Sequence, residues 1–201
     1  MPSFPSYIVA ITGASGSIYG IRLLENLTRN GCRIYLTITK EGWYILKEET
    51  GFFCEGSEAE ISSYICRYFK AEPENLHYFN EENLLAPIAS GSVHTDGMIV
   101  VPCSMKAAAS IACGLASNLV ERAADVTLKE KRKLIIVPRE TPLNSIHLRN
   151  LLTLSELGVH IIPAMPAFYN KPKSIDDIIA FIVGRILDSL HIENTLYQRW
   201  G

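Results

Sequence analysis

The chain has 201 residues, of which 48% are hydrophobic and 20% charged, so it can fill one sizeable core and we expect a single domain over residues 1–201. The formal net charge of −2 argues against a general nucleic-acid binder, because such proteins usually carry a basic excess. No apolar run approaches the ~20 residues that a membrane-spanning helix requires.

Cysteine and histidine usage predicts a cytoplasmic protein without a catalytic metal. The five cysteines are odd in number and show no Cys-x-x-Cys spacing, and no secretory leader precedes them. We therefore expect reduced, mostly buried thiols. The five histidines are scattered without a metal-ligand spacing such as His-Glu-x-x-His.

The first predicted elements are a strand, a tight turn and a helix within residues 7–20. The apolar run from Tyr7 breaks at Gly13, and an amphipathic helix follows over Ile18–Leu27. Unpaired amides of the first helical turn, together with the Ser15 and Ser17 hydroxyls, predict a site for an anion.

A second strand is predicted over Arg33–Thr39, which is rich in β-branched and aromatic residues. Ligands of open α/β sheets bind at the carboxyl ends of strands, so the hydroxyls of Thr37 and Thr39 could face the same ligand as Ser15. The following segment, Trp43–Thr50, reads as a short helix. Its Glu48 and Glu49 are interpreted mainly as a solvated charged face, with a functional role as the minority alternative.

The middle of the chain predicts one more helix, one uncertain segment and a buried strand. Glu58–Phe69 is amphipathic, Ala71–Asn83 reads as loop or edge strand, and Met98–Val101 suits a strand covered on both faces. A helix of small residues then begins at Cys103, with Ser104 as its N-cap. Two explanations of its small residues are equally good: tight packing against the sheet or another subunit, and a second site for an anion or a ring at Ser104.

A charged pair follows the next predicted strand. After a helix over Asn118–Glu130, the strand Leu134–Val137 ends at Pro138, and Arg139 and Glu140 stand before Pro142. Prolines stiffen this backbone and can aim both side chains, so a functional role is favoured.

The last elements are a helix over Ser145–Leu157, a strand over Val159–Ile162 and a closing helix that Ser174 caps and that runs through Leu190. We expect the tail, residues 191–201, to cover a pocket or a neighbouring subunit. Strands that alternate with helices predict an α/β fold with a doubly wound, mostly parallel sheet in a flavodoxin-like or Rossmann-like three-layer sandwich.

The residues at the predicted strand ends favour FMN over a dinucleotide. Gly13, Gly16 and Gly20 match neither the dinucleotide fingerprint nor the P-loop, and Thr39-Lys40 stands where a dehydrogenase needs a ribose-binding acid. A second phosphate site, holding a monophosphate without metal, is predicted from cationic side chains at the carboxyl edges of the strands. Its candidates are Lys129, Arg139, Lys171 or Arg185, and Tyr169.

Five motifs in order resemble the UbiX family of flavin prenyltransferases over about residues 8–190. They are Gly13-Ala-Ser-Gly-Ser-Ile-Tyr-Gly20, Pro102-Cys-Ser-Met-Lys106, Asn118-Leu-Val-Glu-Arg-Ala-Ala-Asp-Val-Thr-Leu-Lys-Glu130, Val137-Pro-Arg-Glu-Thr-Pro142 and Pro163-Ala-Met-Pro-Ala-Phe-Tyr169. The resemblance implies a subunit, usually of a dodecamer, that joins a dimethylallyl group from dimethylallyl monophosphate to N5 and C6 of reduced FMN. The product, prenylated FMN, serves UbiD-type decarboxylases.

The resemblance also implies roles for individual residues. FMN contacts fall at Gly13, Ala14, Ser15, Thr39, Ser104, Met105, Lys106, Ala107 and Arg139. Prenyl-phosphate contacts fall at Lys129, Arg139, Glu140, Tyr169 and Arg185. Catalytic roles fall at Ser15, Glu49, Lys129, Glu140 and Trp200. Which of Glu49, Glu140 or the phosphate moves each proton stays open.

One departure and two alternatives qualify this interpretation. Ala107 replaces a hydroxyl residue common in the family, and the lost hydrogen bond would loosen FMN about tenfold at most. The alternatives are an FMN-dependent decarboxylase and a non-enzymatic flavin-binding or partner subunit. A cysteinyl decarboxylase would need a histidine before the fourth strand and a Pro-x-Met-Asn motif, whereas Ala86–Ser92 lacks histidine and Pro163-Ala-Met is followed by Pro166.

Overall fold

The computed structural model describes residues 4–199 and contains one six-stranded sheet, parallel throughout, between two layers of helices. The strands are β1 (Ser6–Ile11), β2 (Arg33–Ile38), β3 (Leu76–Asn80), β4 (Gly97–Cys103), β5 (Lys133–Pro138) and β6 (His160–Ile161). The helices are α1 (Ser17–Arg29), α2 (Lys40–Thr50), α3 (Glu58–Phe69), α4 (Met105–Ala112), α5 (Leu119–Lys129), α6 (Ser145–Glu156) and α7 (Ile175–Ser189). A single 3₁₀ turn spans Pro87–Ala89. The predicted doubly wound α/β fold is confirmed.

Two hydrophobic cores, one on each face of the sheet, explain why its central strands are apolar throughout. Side chains of β1 alternate between them, with Val9 in the core beneath α1 and α7 and Ala10 in the core beneath α4 and α5. All six residues of β1 and all seven of β4 are buried. A strand covered on both faces needs an apolar run rather than an alternating pattern, which is what the sequence provides.

Two predicted segments take a more definite form in the structure. Residues 71–83, predicted as loop or edge strand, contain β3, which pairs only with β2 at the edge of the sheet. The helix of small residues ends at Ala112, and α5 begins at Leu119 as a separate helix. Ser104 caps α4 as predicted, its hydroxyl accepting from the Ala107 amide at 3.2 Å.

The strand order β3-β2-β1-β4-β5-β6 creates a crevice between the ends of β1 and β4, where the winding direction reverses. Thr12, just after β1, ties the two strands together there. Its buried hydroxyl donates to the Pro102 carbonyl and accepts from the Ser104 amide, both at 2.8 Å. The carboxyl edge of the sheet is therefore rigid where a ligand would bind.

We expect Thr12→Val to lower the stability of the chain. The substitution leaves the Pro102 carbonyl with one partner fewer and the Ser104 amide without its acceptor, which costs about 1–3 kcal/mol. For a domain of this size that corresponds to a fall in melting temperature of roughly 2–12 °C. Thermal unfolding followed by circular dichroism measures it. Thr12→Ser keeps the hydroxyl and should stay within about 2 °C of the unmodified chain; an equal loss in both variants would contradict the hydrogen-bond explanation.

Within residues 4–199, no helix is long and apolar enough to cross a membrane. The same part of the chain holds its five cysteines as free thiols. It contains no cluster of three or more His, Cys, Asp or Glu side chains that could hold a metal ion.

Candidate functional site

A small cavity of about 100 Å³ opens at the carboxyl ends of β1, β2 and β4. That volume equals about three water molecules and is comparable with a phosphate group. The cavity is lined by Thr12, Gly13, Thr39, Glu41, Ser104, Lys106, Ala107, Asn118, Val120 and Glu121. The hydroxyls of Thr39 and Ser104 and the ammonium group of Lys106 line the cavity as donors of the kind that a phosphate group such as that of FMN requires.

Glu41 borders this cavity and pairs with Lys106 at 3.2 Å. Hydrogen bonds from the Glu41 backbone and from Lys106 hold the pKa of the Glu41 carboxyl below its ordinary value, so it stays charged. The turn after β1 reaches α2 because Gly13 has no side chain: a Cβ there would lie 2.4 Å from Cβ of Glu41. The ammonium group of Lys106 therefore interacts with Glu41 as well as with any anion in the cavity.

The N-terminus of α1 binds a carboxylate of the chain itself. Gly16, the N-cap of α1, has φ 97° and provides no side-chain cap. Glu49 takes that role: its Oε2 accepts from the amides of Gly16 and Ser17 at 2.9 Å and from Ser17 Oγ at 2.8 Å. The prediction that these amides and Ser17 hold a ligand anion is therefore wrong, because Glu49 already satisfies them. Glu49 is exposed, as the interpretation of a solvated charge expects, but its carboxylate also caps α1, so it is more than a solvated face.

Opposing influences set the ionisation of Glu49. Partial burial raises the pKa of its carboxyl, but hydrogen bonds from the Ser15 and Ser17 hydroxyls and from the Ser17 and Gly16 amides outweigh burial and leave the pKa below its ordinary value. Glu49 is thus a stable anion that holds the Ser15 side chain at the N-terminus of α1. A carboxylate of lowered pKa is a weak general base at neutral pH.

Tyr19, on α1, interacts electrostatically with both Glu49 and Arg139, the cation after β5. Burial raises the pKa of the Tyr19 phenol, the positive charge of Arg139 lowers it and the negative charge of Glu49 raises it, so Tyr19 lies within reach of both. Arg139 is exposed and its amide donates to the Cys103 carbonyl, which fixes it beside the end of β4. The neighbouring Glu140 is exposed as well, and its Oε1 accepts from the Thr141 amide at 2.9 Å.

The remaining predicted FMN contacts fall at the same edge, with one correction. Ala14 and Ala107 are buried, and Met105 begins α4 directly after Ser104. Thr39 caps α2 by accepting from the Gly42 amide at 3.0 Å. Thr37 does not face a ligand as predicted: it is fully buried within the sheet, where its hydroxyl lacks a hydrogen-bond partner.

Tyr169, in the loop before α7, and Arg185, on α7, lie together at a second place. The Tyr169 ring meets the Phe181 ring edge-on with centroids 6.0 Å apart, and Tyr169 interacts electrostatically with Arg185. Arg185 Nη1 donates to the Tyr197 hydroxyl at 3.3 Å. Arg185 stands one turn before Ser189, whose carbonyl accepts from Lys133 Nζ at the start of β5. This end of α7 is therefore remote from the carboxyl edge that carries Ser15.

Lys129 lies at a third place, at the amino ends of the strands, opposite the carboxyl ends that carry Ser15. It ends α5, which leads into the amino end of β5, and its Nζ pairs with Glu130 at 3.3 Å. The six residues of β5, at ~3.3 Å each, separate it from Arg139 by roughly 20 Å. The prediction that Lys129 lies at a carboxyl edge is wrong, because it precedes the strand instead of following it. Trp200 lies outside the described residues.

Comparison with known proteins identifies the family. The model of the Flavoprotein family matches residues 3–187. Flavin prenyltransferase UbiX of Halalkalibacterium halodurans is 49% identical over 195 residues, which cover 97% of this chain and 93% of the relative. The chain belongs to the UbiX family of flavin prenyltransferases.

Solved structures of UbiX proteins share the whole fold. AnUbiX (PadA1), crystallised in complex with FMN and dimethylallyl pyrophosphate, superimposes with a TM-score of 0.88 at 40% identity and covers 99% of this chain and 98% of its own. The dodecameric FMN-dependent UbiX-like decarboxylase from Escherichia coli O157:H7 gives a TM-score of 0.86 at 42% identity, covering 98% and 99% of the two chains.

Sequence reasoning missed three residues that the structure places beside the predicted UbiX site residues. Glu41 borders the carboxyl-edge cavity, Tyr19 interacts electrostatically with Arg139 and Glu49, and Asp188 pairs with Arg185. Tyr19 stands inside the first glycine motif, which could have drawn attention to it. Asp188 carries no sequence signal, since an aspartate near a helix end is common on any solvated face.

Proposed function

We propose that this chain transfers a dimethylallyl group from dimethylallyl monophosphate to N5 and C6 of reduced FMN, giving prenylated FMN. The observation that supports it is the donor-lined cavity at the switch between β1 and β4, in a chain that aligns from end to end with UbiX proteins. In this proposal the FMN contacts are Gly13, Ala14, Ser15, Thr39, Ser104, Met105, Lys106, Ala107 and Arg139. Residues 1–201 act as one domain.

Some of the site's side chains stabilise the leaving phosphate, and others transfer protons. Reduced FMN supplies the two nucleophilic ring atoms when it is bound. Arg139, Lys129 and Arg185 stabilise the phosphate that leaves with the electrons of the broken carbon–oxygen bond. Tyr169 donates to the same phosphate.

Glu49 positions Ser15 in this proposal and does not move protons. Its carboxylate is engaged by amides and hydroxyls of the α1 N-terminus, and its pKa is lowered. Glu140 is exposed and, within residues 4–199, accepts a hydrogen bond only from the adjacent Thr141 amide, so its carboxylate can turn toward a substrate. We assign proton transfer to Glu140 or to the retained phosphate, and a catalytic role to Trp200.

The dispersed residues require more than one copy of the chain. Ser15, the α7 residues and Lys129 occupy three places in one chain, so a complete site forms only when subunits meet. A homo-oligomer, a dodecamer as in the Escherichia coli relative, satisfies this requirement. Exposed apolar side chains over residues 146–168 suit such contacts. They are Ile146, Leu148, Leu152, Leu157, Met165 and Phe168.

We further propose a cytoplasmic enzyme whose product serves a UbiD-type decarboxylase. Free cysteines and a reduced flavin substrate suit a reducing compartment.

Anaerobic incubation with reduced FMN and dimethylallyl monophosphate tests the function directly. Mass spectrometry of the flavin should show the added prenyl group. An unmodified flavin from folded, FMN-loaded protein would contradict the proposal. Release of CO₂ from a hydroxybenzoate with FMN alone would favour the decarboxylase alternative, and intact function in cells of Lys129→Ala and Arg185→Ala would favour the non-enzymatic one.

Ala107→Ser should tighten FMN binding by up to about tenfold, because a hydroxyl at this cavity position adds one donor to the phosphate site. Quenching of flavin fluorescence on titration gives the dissociation constant. Ala109→Ser, on the same helix but outside the cavity lining, is the matched control and should leave it unchanged. Tightening by both variants would point to a general effect on α4.

A further inference from the structure

The segment after α7 folds back onto that helix and binds it at one carboxylate. Asp188 is partly buried, with 15% of its side chain exposed. Its Oδ2 accepts from the Tyr197 hydroxyl at 2.5 Å, and its Oδ1 accepts from Arg199 at 2.6 Å and from Asn194 at 2.9 Å. Three donors of residues 194–199 thus converge on a single aspartate of α7.

Packing against α7 independently fixes the same segment. The Tyr197 ring lies over Gly184, where a Cβ would come within 2.5 Å of Tyr197 Cδ1, so glycine is needed for this approach. The Tyr197 ring also meets Phe181 edge-on at a centroid distance of 5.1 Å. Phe181 in turn contacts Tyr169. The aromatic rings therefore form a continuous row from Tyr169 to the segment after α7.

The Tyr197 hydroxyl links Asp188 to Arg185. It donates to Asp188 and accepts from Arg185 Nη1, and that nitrogen also lies 3.6 Å from Asp188 Oδ2. Arg185 is otherwise half exposed, and an exposed guanidinium on a long flexible stem has many rotamers. The contacts of Nη1 with the Tyr197 hydroxyl and with Asp188 restrict the number of these rotamers. The remaining donors of the guanidinium stay available for a ligand.

We propose that Asp188, acting through Tyr197, is a positioning residue of the prenyl-phosphate site, which fixes Arg185 and docks residues 194–199 beside it. The inference rests on the proposed function, because Arg185 matters only if the prenyl donor binds there. An Arg185 fixed before binding loses less conformational entropy when it forms a bidentate pair with the phosphate. Asp188 therefore contributes to donor binding without touching the donor.

Burial raises the pKa of Asp188, but the hydrogen bonds from Tyr197, Asn194 and Arg199 outweigh burial and keep the pKa below its ordinary value. The hydrogen bond with Tyr197 raises the pKa of Arg185. Both ions of the cluster therefore stay charged around neutral pH.

Tyr197→Phe and Asp188→Asn test the inference in the full-length oligomer. Tyr197→Phe keeps the ring on Gly184 and removes only the hydroxyl. Each variant should raise KM for dimethylallyl monophosphate by about tenfold while FMN affinity and kcat stay within about twofold. Asp188→Asn should also speed amide exchange over residues 192–199. The matched control is Asp176→Asn, which removes an aspartate of the same helix that pairs with Arg22 instead, and it should change none of these.

A double-mutant comparison separates positioning from a general structural effect. In an Arg185→Ala chain, Asp188→Asn should raise KM no further, since no guanidinium remains to be fixed. Unchanged KM in both single variants would overturn the inference, and so would a rise that persists in full without Arg185. A wild-type chain that makes no prenylated FMN would instead contradict the proposed function, and the inference with it.

Discussion

Replacement of Glu49 by glutamine should lower the rate of flavin prenylation by about 10–100-fold. The carboxylate holds the turn that carries Ser15 through bonds with two amides and the Ser17 hydroxyl. The amide of glutamine has one acceptor oxygen and places an NH₂ group against donors, so the turn must shift. Small displacements of a positioning group lower the reaction rate strongly, because the reacting atoms have to meet at close range. Initial rates of prenylated FMN formation under anaerobic conditions measure the loss.

The same substitution should destabilise the fold, because α1 has no other side-chain cap. Loss of an N-cap costs about 1 kcal/mol, which corresponds to roughly 2–4 °C in melting temperature for a domain of this size. Glu48→Gln is the matched control: it removes the same charge from the adjacent, exposed position of α2. Equal losses in the two variants would contradict a specific role for Glu49 and indicate a general charge effect.

The stabilising effect of Glu49 has a defined pH dependence. The pKa of its carboxyl in the folded chain lies below the ordinary value, so the bonded anion contributes fully above the unfolded pKa of ~4.3. That contribution is lost as the pH falls through the folded pKa. The difference in unfolding free energy between the chain and Glu49→Gln should therefore be present at pH 7 and shrink at acid pH. Denaturant unfolding at both pH values measures it.

The sequence predicted the sheet well because burial on both faces leaves a direct mark. Met98–Val101 and Leu134–Val137 were recognised as strands from their unbroken apolar runs, and both lie inside observed strands. Strand β3 was harder, because it lies at the sheet edge and its side chains alternate between buried and half-exposed. Helix N-caps were equally readable, since Ser104 and Ser174 use local hydrogen bonds.

The site was predicted less completely because its contacts join residues far apart in the chain. The amides of Gly16 and Ser17 do bind an anion, but it is a side chain of the chain and not the predicted ligand, and nothing local to them indicates that Glu49, 32 residues after Ser17, provides it. Lys129 was misplaced for a related reason. Its type suits a phosphate, but which sheet edge it occupies depends on whether it precedes or follows its strand.

Lys129→Ala should reduce prenylation by about 10²–10³-fold, as removal of a donor to a developing anion commonly does. That expectation is compatible with the structure only if Lys129 reaches a site on another subunit. Within one chain it ends α5 at the amino edge of the sheet, whereas Ser15 and Glu49 lie at the carboxyl edge. Lys129 and Glu49 of one chain therefore serve two different sites.

Mixing of inactive subunits tests this arrangement. When Lys129→Ala and Glu49→Gln chains are co-expressed with different affinity tags and assemble at random, about a quarter of the sites combine an intact Lys129 with an intact Glu49 from separate subunits. Doubly purified mixed oligomers should therefore recover about a quarter of wild-type activity, far above either parent. If both residues acted in the same chain, each subunit would carry one defect and no site would be complete. Activity no higher than the parents would thus show that Lys129 and Glu49 do not meet across a subunit boundary.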